Sequence, residues 1–109
     1  MAKYLILFNL TGETVSRFVA KPSDRAAVVR ALAASVGGSL ECYYWMFGQY
    51  DGFAILEVPD SKTAGAIALA ISSTGAFAVQ THELIAPGAL GGILSRSKEL
   101  RAHYKAPGK

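Results

Sequence analysis

Residues 39–58 constrain the fold more than any other stretch. Ser39-Leu40-Glu41-Cys42-Tyr43-Tyr44-Trp45-Met46-Phe47 is dense in aromatic side chains, and Phe53-Ala54-Ile55-Leu56-Glu57-Val58 follows the glycine-bounded segment Gly48-Gln49-Tyr50-Asp51-Gly52. Aromatic and β-branched residues suit the pleated surface of a strand, and a short glycine-bounded turn between two such runs predicts a hairpin. Pro59 ends the second run because it cannot donate to a ladder. A lone hairpin is at best marginally stable in water, so the rest of the chain must supply further strands and a helical cover.

The flanking segments do so. Lys3 to Leu10 is an apolar run closed by Thr11-Gly12, which reads as a first strand. Val15, Phe18 and Val19 make a short amphipathic helical turn that Lys21-Pro22 interrupts. Ser23 is placed to cap a helix reaching about Val36, with Val28, Val29, Leu32 and Val36 on one stripe and Gly37-Gly38 as its stop. After the hairpin, Asp60 or Ser61 caps a helix to about Ser73, with Ala64, Ile67, Ala68 and Ile71 inward. Ala76 to about Ile85 is a fourth strand, and Leu90, Ile93 and Leu94 suggest a short closing helix. The order β-α-β-β-α-β predicts an α+β, ferredoxin-like fold: a four-stranded antiparallel sheet with two helices on one face.

Composition limits the alternatives. With 109 residues, 51% apolar and 17% charged, the chain has room for one domain and is too apolar for intrinsic disorder. No apolar run reaches the length of a membrane span and no secretory pattern opens the chain, so no membrane partner is expected. The single cysteine, Cys42, suits a reducing, cytoplasmic setting. Residues 1–94 carry a net charge of −1 and residues 95–109 a net charge of +4, which together give the formal +3. The division expected is a domain over 1–94 and a basic C-terminal tail over 95–109. Nucleic acid is not expected as a partner, because the cations sit in a tail rather than along a folded face.

Symmetric pairing about Tyr50 would set Phe47 against Phe53, Trp45 against Ile55 and Tyr43 against Glu57. The helix-facing set would then be Leu40, Cys42, Tyr44, Met46, Ala54, Leu56 and Val58. The open face would carry Tyr43, Trp45, Phe47, Phe53 and Ile55, which is more apolar area than a monomer usually exposes. This predicts a homodimer or higher oligomer through the sheet face, a small apolar ligand held there, or both. Two such sheets face to face would form a dimeric α/β-barrel.

Gly48-Gln49-Tyr50-Asp51, with Ile55 and Glu57-Val58-Pro59-Asp60 behind it, resembles the GYD-domain family of the dimeric α/β-barrel superfamily. Val36-Gly37-Gly38-Ser39-Leu40 and Thr81-His82-Glu83 extend the resemblance over residues 3–94. The sequence departs from the family at Ser73-Thr74-Gly75-Ala76-Phe77, where a shorter connection is expected. The resemblance implies a ferredoxin-like homo-oligomer and no particular reaction, since fold kinship alone is analogy.

Candidate site residues follow from the assumed register. Tyr43, Trp45, Phe53, Ile55 and Glu57 would line an aromatic cleft for a small molecule. In a cofactor-free isomerase or monooxygenase acting on an apolar cyclic metabolite, Glu57 or His82 would take a proton, and Tyr43 is a third candidate. His82 and Glu83 are consecutive strand residues and must point to opposite faces. Gly48, Tyr50 and Asp51 form the hairpin motif, where turn geometry and proton transfer compete as explanations. A purely structural assembly subunit is the third reading. No cysteine, histidine or carboxylate spacing suggests a metal, and no phosphate-loop or nucleophile-elbow pattern calls for a cofactor or an activated serine.

Overall fold

The computed structural model describes residues 1–108. Its strands are β1 (Ala2–Leu10), β2 (Ser39–Trp45), β3 (Gly52–Val58) and β4 (Phe77–Leu84), in the spatial order β2-β3-β1-β4 with every pair antiparallel. The helices are α1 (Gly12–Ala20), α2 (Arg25–Ser35), α3 (Ser61–Ser72) and α4 (Leu90–Arg101), the last preceded by a 3-10 turn at Pro87–Ala89. This is the expected ferredoxin-like α+β arrangement. No helix is long and apolar enough to cross a membrane.

Alternation along the strands puts Tyr4, Ile6, Phe8, Ala54, Leu56 and Val58 under the helices, where all are buried. Ala33 of α2 and Ala64 and Ile67 of α3 complete the core. The two small alanines let the helix backbones approach the sheet closely. Asp24, one residue later than expected, is the cap of α2, its carboxylate accepting from the Ala27 amide at 3.1 Å. Asp60 caps α3 in the same way through Thr63 at 2.8 Å.

The hairpin register differs from the symmetric one. Tyr43 pairs with Ala54, Tyr44 with Phe53 and Trp45 with Gly52, three residues away from the pairing about Tyr50. An odd displacement turns each side chain to the other face. Tyr43 and Trp45 therefore face the helices, whereas Cys42 and Tyr44 face outward. A β-bulge between Leu40 and Cys42 inserts Glu41 as an extra residue and restores the expected parity beyond it. Leu40 thus remains opposite Leu56 on the helix side, and β3 keeps its expected faces throughout.

The cause lies in the loop. Its ladder stops at Trp45–Gly52, and the Asp51 carbonyl accepts from both the Met46 and Phe47 amides at 2.9 and 3.2 Å. Phe47 adopts a left-handed φ of 49° to close this six-residue connection. Met46 and Phe47 lie in the loop, outside β2, and Phe47 is 71% exposed.

The basic segment is helical over part of its length. Residues 95–101 continue the helix begun at Leu90, so α4 crosses the expected boundary at 94/95. No residue of α4 is buried.

Candidate functional site

The parity change gathers six aromatic rings on the helix side of the sheet. Phe8 lies 5.3 Å from Tyr43, 5.5 Å from Trp45 and 5.8 Å from Phe77 between ring centroids. Trp45 stacks on Phe18 of α1 at 5.5 Å and on Phe47 at 5.6 Å. This cluster occupies the end of the sheet at which α2 begins and α3 ends, where the small side chains Ala54, Ala70 and Ala76 leave the layers incompletely filled.

The result is an apolar chamber of about 270 Å³ between sheet and helices. Phe8, Tyr43 and Leu56 form part of its floor, Leu32 and Ile71 its helical walls, and Phe77 one side. Tyr43 is the polar side chain that the sheet contributes, with Arg25 and Thr74 at the edge. Burial pushes its phenol up to about 12, against a smaller opposing influence from the Arg25 guanidinium. The phenol donates to no protein acceptor among the hydrogen bonds of the described residues, which leaves it available to a bound group.

A second, more polar hollow of about 390 Å³ adjoins the chamber and shares Arg25, Thr74, Ala76 and Phe77 with it. Arg25 stands at the junction, its guanidinium 5.8 Å from the centre of the Phe77 ring.

The opposite face of the sheet is not covered by α1, α2 or α3. Leu5, Leu7, Cys42, Tyr44, Phe53 and Ile55 point there, with Tyr44 stacked on Phe53 at 5.6 Å and 59% exposed. Glu57 also faces this side, as do Lys3 and His82 through their register partners. Lys3 is ion-paired with Glu41 at 2.5 Å, and this bond first, with the charge of Glu57 as a lesser influence, raises its pKa.

The five residues expected to line one cleft therefore fall into two groups. Tyr43 and Trp45 lie on the chamber side, with Tyr43 in its wall and Trp45 against Phe8. Phe53, Ile55 and Glu57 lie on the open face. The register also separates the three proton-transfer candidates: Tyr43 is on one face, and Glu57 and His82 are on the other with β1 between their strands. Tyr43 and Glu57, set against each other on one face by the symmetric register, lie on opposite faces of the sheet. Glu83 points to the helix side, where Tyr4 donates to it at 2.9 Å, so His82 and Glu83 do occupy opposite faces.

Gly48, Tyr50 and Asp51 serve the loop. The Asp51 carboxylate accepts from the Leu10 amide at 2.8 Å, and the Asp51 amide donates to the Phe8 carbonyl and to Asn9 Oδ1, both at 2.9 Å. The Gly48 amide donates to the Tyr50 carbonyl at 3.0 Å, and the Tyr50 hydroxyl reaches across β1 to donate to Gln80 Oε1 at 3.0 Å. Sequence reasoning missed Phe8, Phe18, Arg25 and Phe77 as parts of the site. The signal available for them was the concentration of aromatic residues near the ends of β1, β2 and β4, which only the register brings together.

The GYD-domain family model matches residues 4–94, which takes in α1 to α3 and the whole sheet except Ala2 and Lys3 of β1. No curated protein and no solved structure matches the chain.

Proposed function

The chain belongs to the GYD-domain family, and we propose that this member binds a small apolar molecule in the chamber between its sheet and helices. The observation that carries the reading is the chamber itself: about 270 Å³, lined almost wholly by apolar side chains, with Tyr43 in its wall. An apolar cavity of about 150 Å³ already accepts benzene, so this one admits a body nearly twice that size. Convergence of one or two polar groups in an apolar enclosure is the usual form of a ligand site.

The second part of the proposal is homo-oligomerisation through the open sheet face. Phe53, Tyr44, Ile55, Leu5 and Leu7 form a contiguous apolar surface in the register given above. Two aromatic rings and three aliphatic side chains together reach the several hundred Å² that mark interaction surfaces. On this reading Phe53 and Ile55 join subunits, while Tyr43 serves the ligand.

Turnover by Glu57 or His82 on a ring held by Trp45 and Phe53 finds no support in this geometry, since those side chains are divided between the two faces. Native mass spectrometry of the untagged protein tests both parts of the proposal. The expected result is a multiple of the chain mass together with a reproducible non-protein adduct. A monomer without adduct, together with failure to bind an added aliphatic alcohol, refutes the reading.

A further inference from the structure

Arg25, Thr74, Ala76 and Phe77 belong to both the apolar chamber and the polar hollow beside it, so the two form one continuous site with unlike ends. The outer end is lined by the cations Arg17, Lys21 and Arg25 and by no carboxylate; its hydroxyl residues Thr14, Ser23 and Thr74 are already bonded to Thr11, to Arg25 and to the Ile71 carbonyl. Arg17 has a long contact to Glu13 at 3.8 Å on the exposed side of α1. Lys21 and Arg25 have no ion-pair partner among the described residues, and Arg25 is bonded only to Ser23 Oγ, at 3.4 Å. Asp24 lies next to them in sequence, but its carboxylate is engaged at the α2 cap.

Resting on the chamber as a ligand site, we propose that the ligand is an anionic amphiphile: a compact apolar body in the chamber, ending in a phosphate that lies among Arg17, Lys21 and Arg25. A phosphate monoester carries about 1.5 to 2 negative charges and three acceptor oxygens, which matches several cations. Arginine binds it in a two-bonded fork, and lysine adds a point charge. The hollow of about 390 Å³ is larger than a single carboxylate needs. The chamber volume of about 270 Å³ sets the tail at roughly eight to ten carbons, scaled from the benzene-sized cavity above. The head also explains why a guanidinium stands over Phe77 at the mouth of an apolar space: it bridges the two ends.

The test uses the full-length protein and three probes: n-octyl phosphate, octanol and inorganic phosphate. Trp45 is the only tryptophan and touches Phe8 of the chamber wall, so its fluorescence reports occupancy. Octyl phosphate is expected to bind about ten- to a hundredfold more tightly than octanol at low ionic strength, the gain of one or two charge-assisted bonds. Added salt should narrow that difference. Arg17→Gln combined with Lys21→Gln, both lining the outer hollow and not the chamber, should cut the preference for octyl phosphate over octanol about tenfold and leave octanol unchanged, which also shows that the variant is folded. Equal affinity of the two amphiphiles, or a variant that keeps the preference, overturns the phosphate head and leaves the chamber standing. Inorganic phosphate binding as tightly as octyl phosphate overturns the amphiphile. Failure of octanol and octyl phosphate alike overturns the chamber as a ligand site.

Discussion

Replacing Asp51 by alanine separates the architectural reading of the Gly-x-Tyr-Asp segment from a catalytic one. The substitution keeps the backbone bonds of residue 51, which join it to Phe8, Asn9, Met46 and Phe47. It removes one interaction, the 2.8 Å bond from the Leu10 amide to the carboxylate. Bonds to charged groups contribute about 1.5–3 kcal/mol, and this one is only partly buried, so water can reach the freed amide. The expected loss is therefore at the lower end, about 1.5–2 kcal/mol. Asp51→Asn retains an acceptor without the charge and should lose about half as much, because charge roughly doubles such a bond. Urea unfolding at fixed protein concentration measures both, with a shifted midpoint and an unchanged slope. Loss below about 0.5 kcal/mol for the alanine variant, the ordinary scatter of surface changes, refutes the tie between loop and β1. So does an asparagine variant as weak as the alanine one. A variant of native stability that no longer binds octanol would instead move Asp51 into the site.

The same loop predicts that Gly52→Ala is severely destabilising, by about 2–3 kcal/mol or more in urea unfolding, because the new methyl would lie 2.5 Å from Phe8 Cζ and 2.6 Å from the Tyr44 carbonyl. Gly65→Ala, inside α3 with nothing within 4 Å, should instead stabilise by about 0.5–1 kcal/mol. Tyr43 ionises at about 12 when folded and near 10 when unfolded, so the unfolded chain releases its proton first and stability falls as pH rises through that window. Unfolding midpoints on either side of pH 10 should therefore diverge less in Tyr43→Phe than in the parent protein. Under the proposed assembly through the open face, the parent protein should sediment as an oligomer and Ile55→Glu as a monomer, while the Trp45 response to octanol persists; an unchanged assembly would place the interface elsewhere.

Element order was legible because each boundary carries a local chemical cause. Asp24 and Asp60 sit where a helix needs an acceptor for its first amides, Gly75 takes the positive φ after α3, and Pro59 stops a strand. The faces of β3 followed from alternation, and those of β1, apolar on both sides, are fixed by its pairing with β3. The faces of β2 did not, because they depend on where the ladder begins, and that is decided by tertiary bonds. Three amides are drawn to Phe8, Asn9 and the Asp51 carbonyl, groups that no window of the hairpin sequence contains together. Runs apolar on both sides, such as Cys42-Tyr43-Tyr44-Trp45, carry no internal signal of which residue points inward. Glu41 was the one visible irregularity, a charged residue inside an apolar strand, and it is where the bulge falls. The cationic end of the site was hidden for a different reason: Arg17, Lys21 and Arg25 belong to two helices and the link between them, and a charge tally over the whole body cancels them against distant carboxylates.

That dependence joins the motif to the chamber. Asp51 holds the loop on β1, the loop sets the three-residue offset of the hairpin, and the offset turns Tyr43 and Trp45 beneath the helices. With the symmetric register, the Tyr43 phenol would face the opposite side and the chamber would lose its only polar wall atom contributed by the sheet. Glu41 then confines the consequence: the bulge restores Leu40 to the core, so the offset reorganises the end of the sheet bearing the chamber and leaves Leu56, Val58, Ala33 and Ile67 packed as alternation requires. A motif with this role specifies the wall of a cavity without touching what the cavity holds. Family membership through Gly48-Gln49-Tyr50-Asp51 thus speaks for the architecture of the site, and under the proposed function selectivity belongs to residues outside the motif: Arg25 and Phe77 at the junction, and Arg17 and Lys21 beyond it.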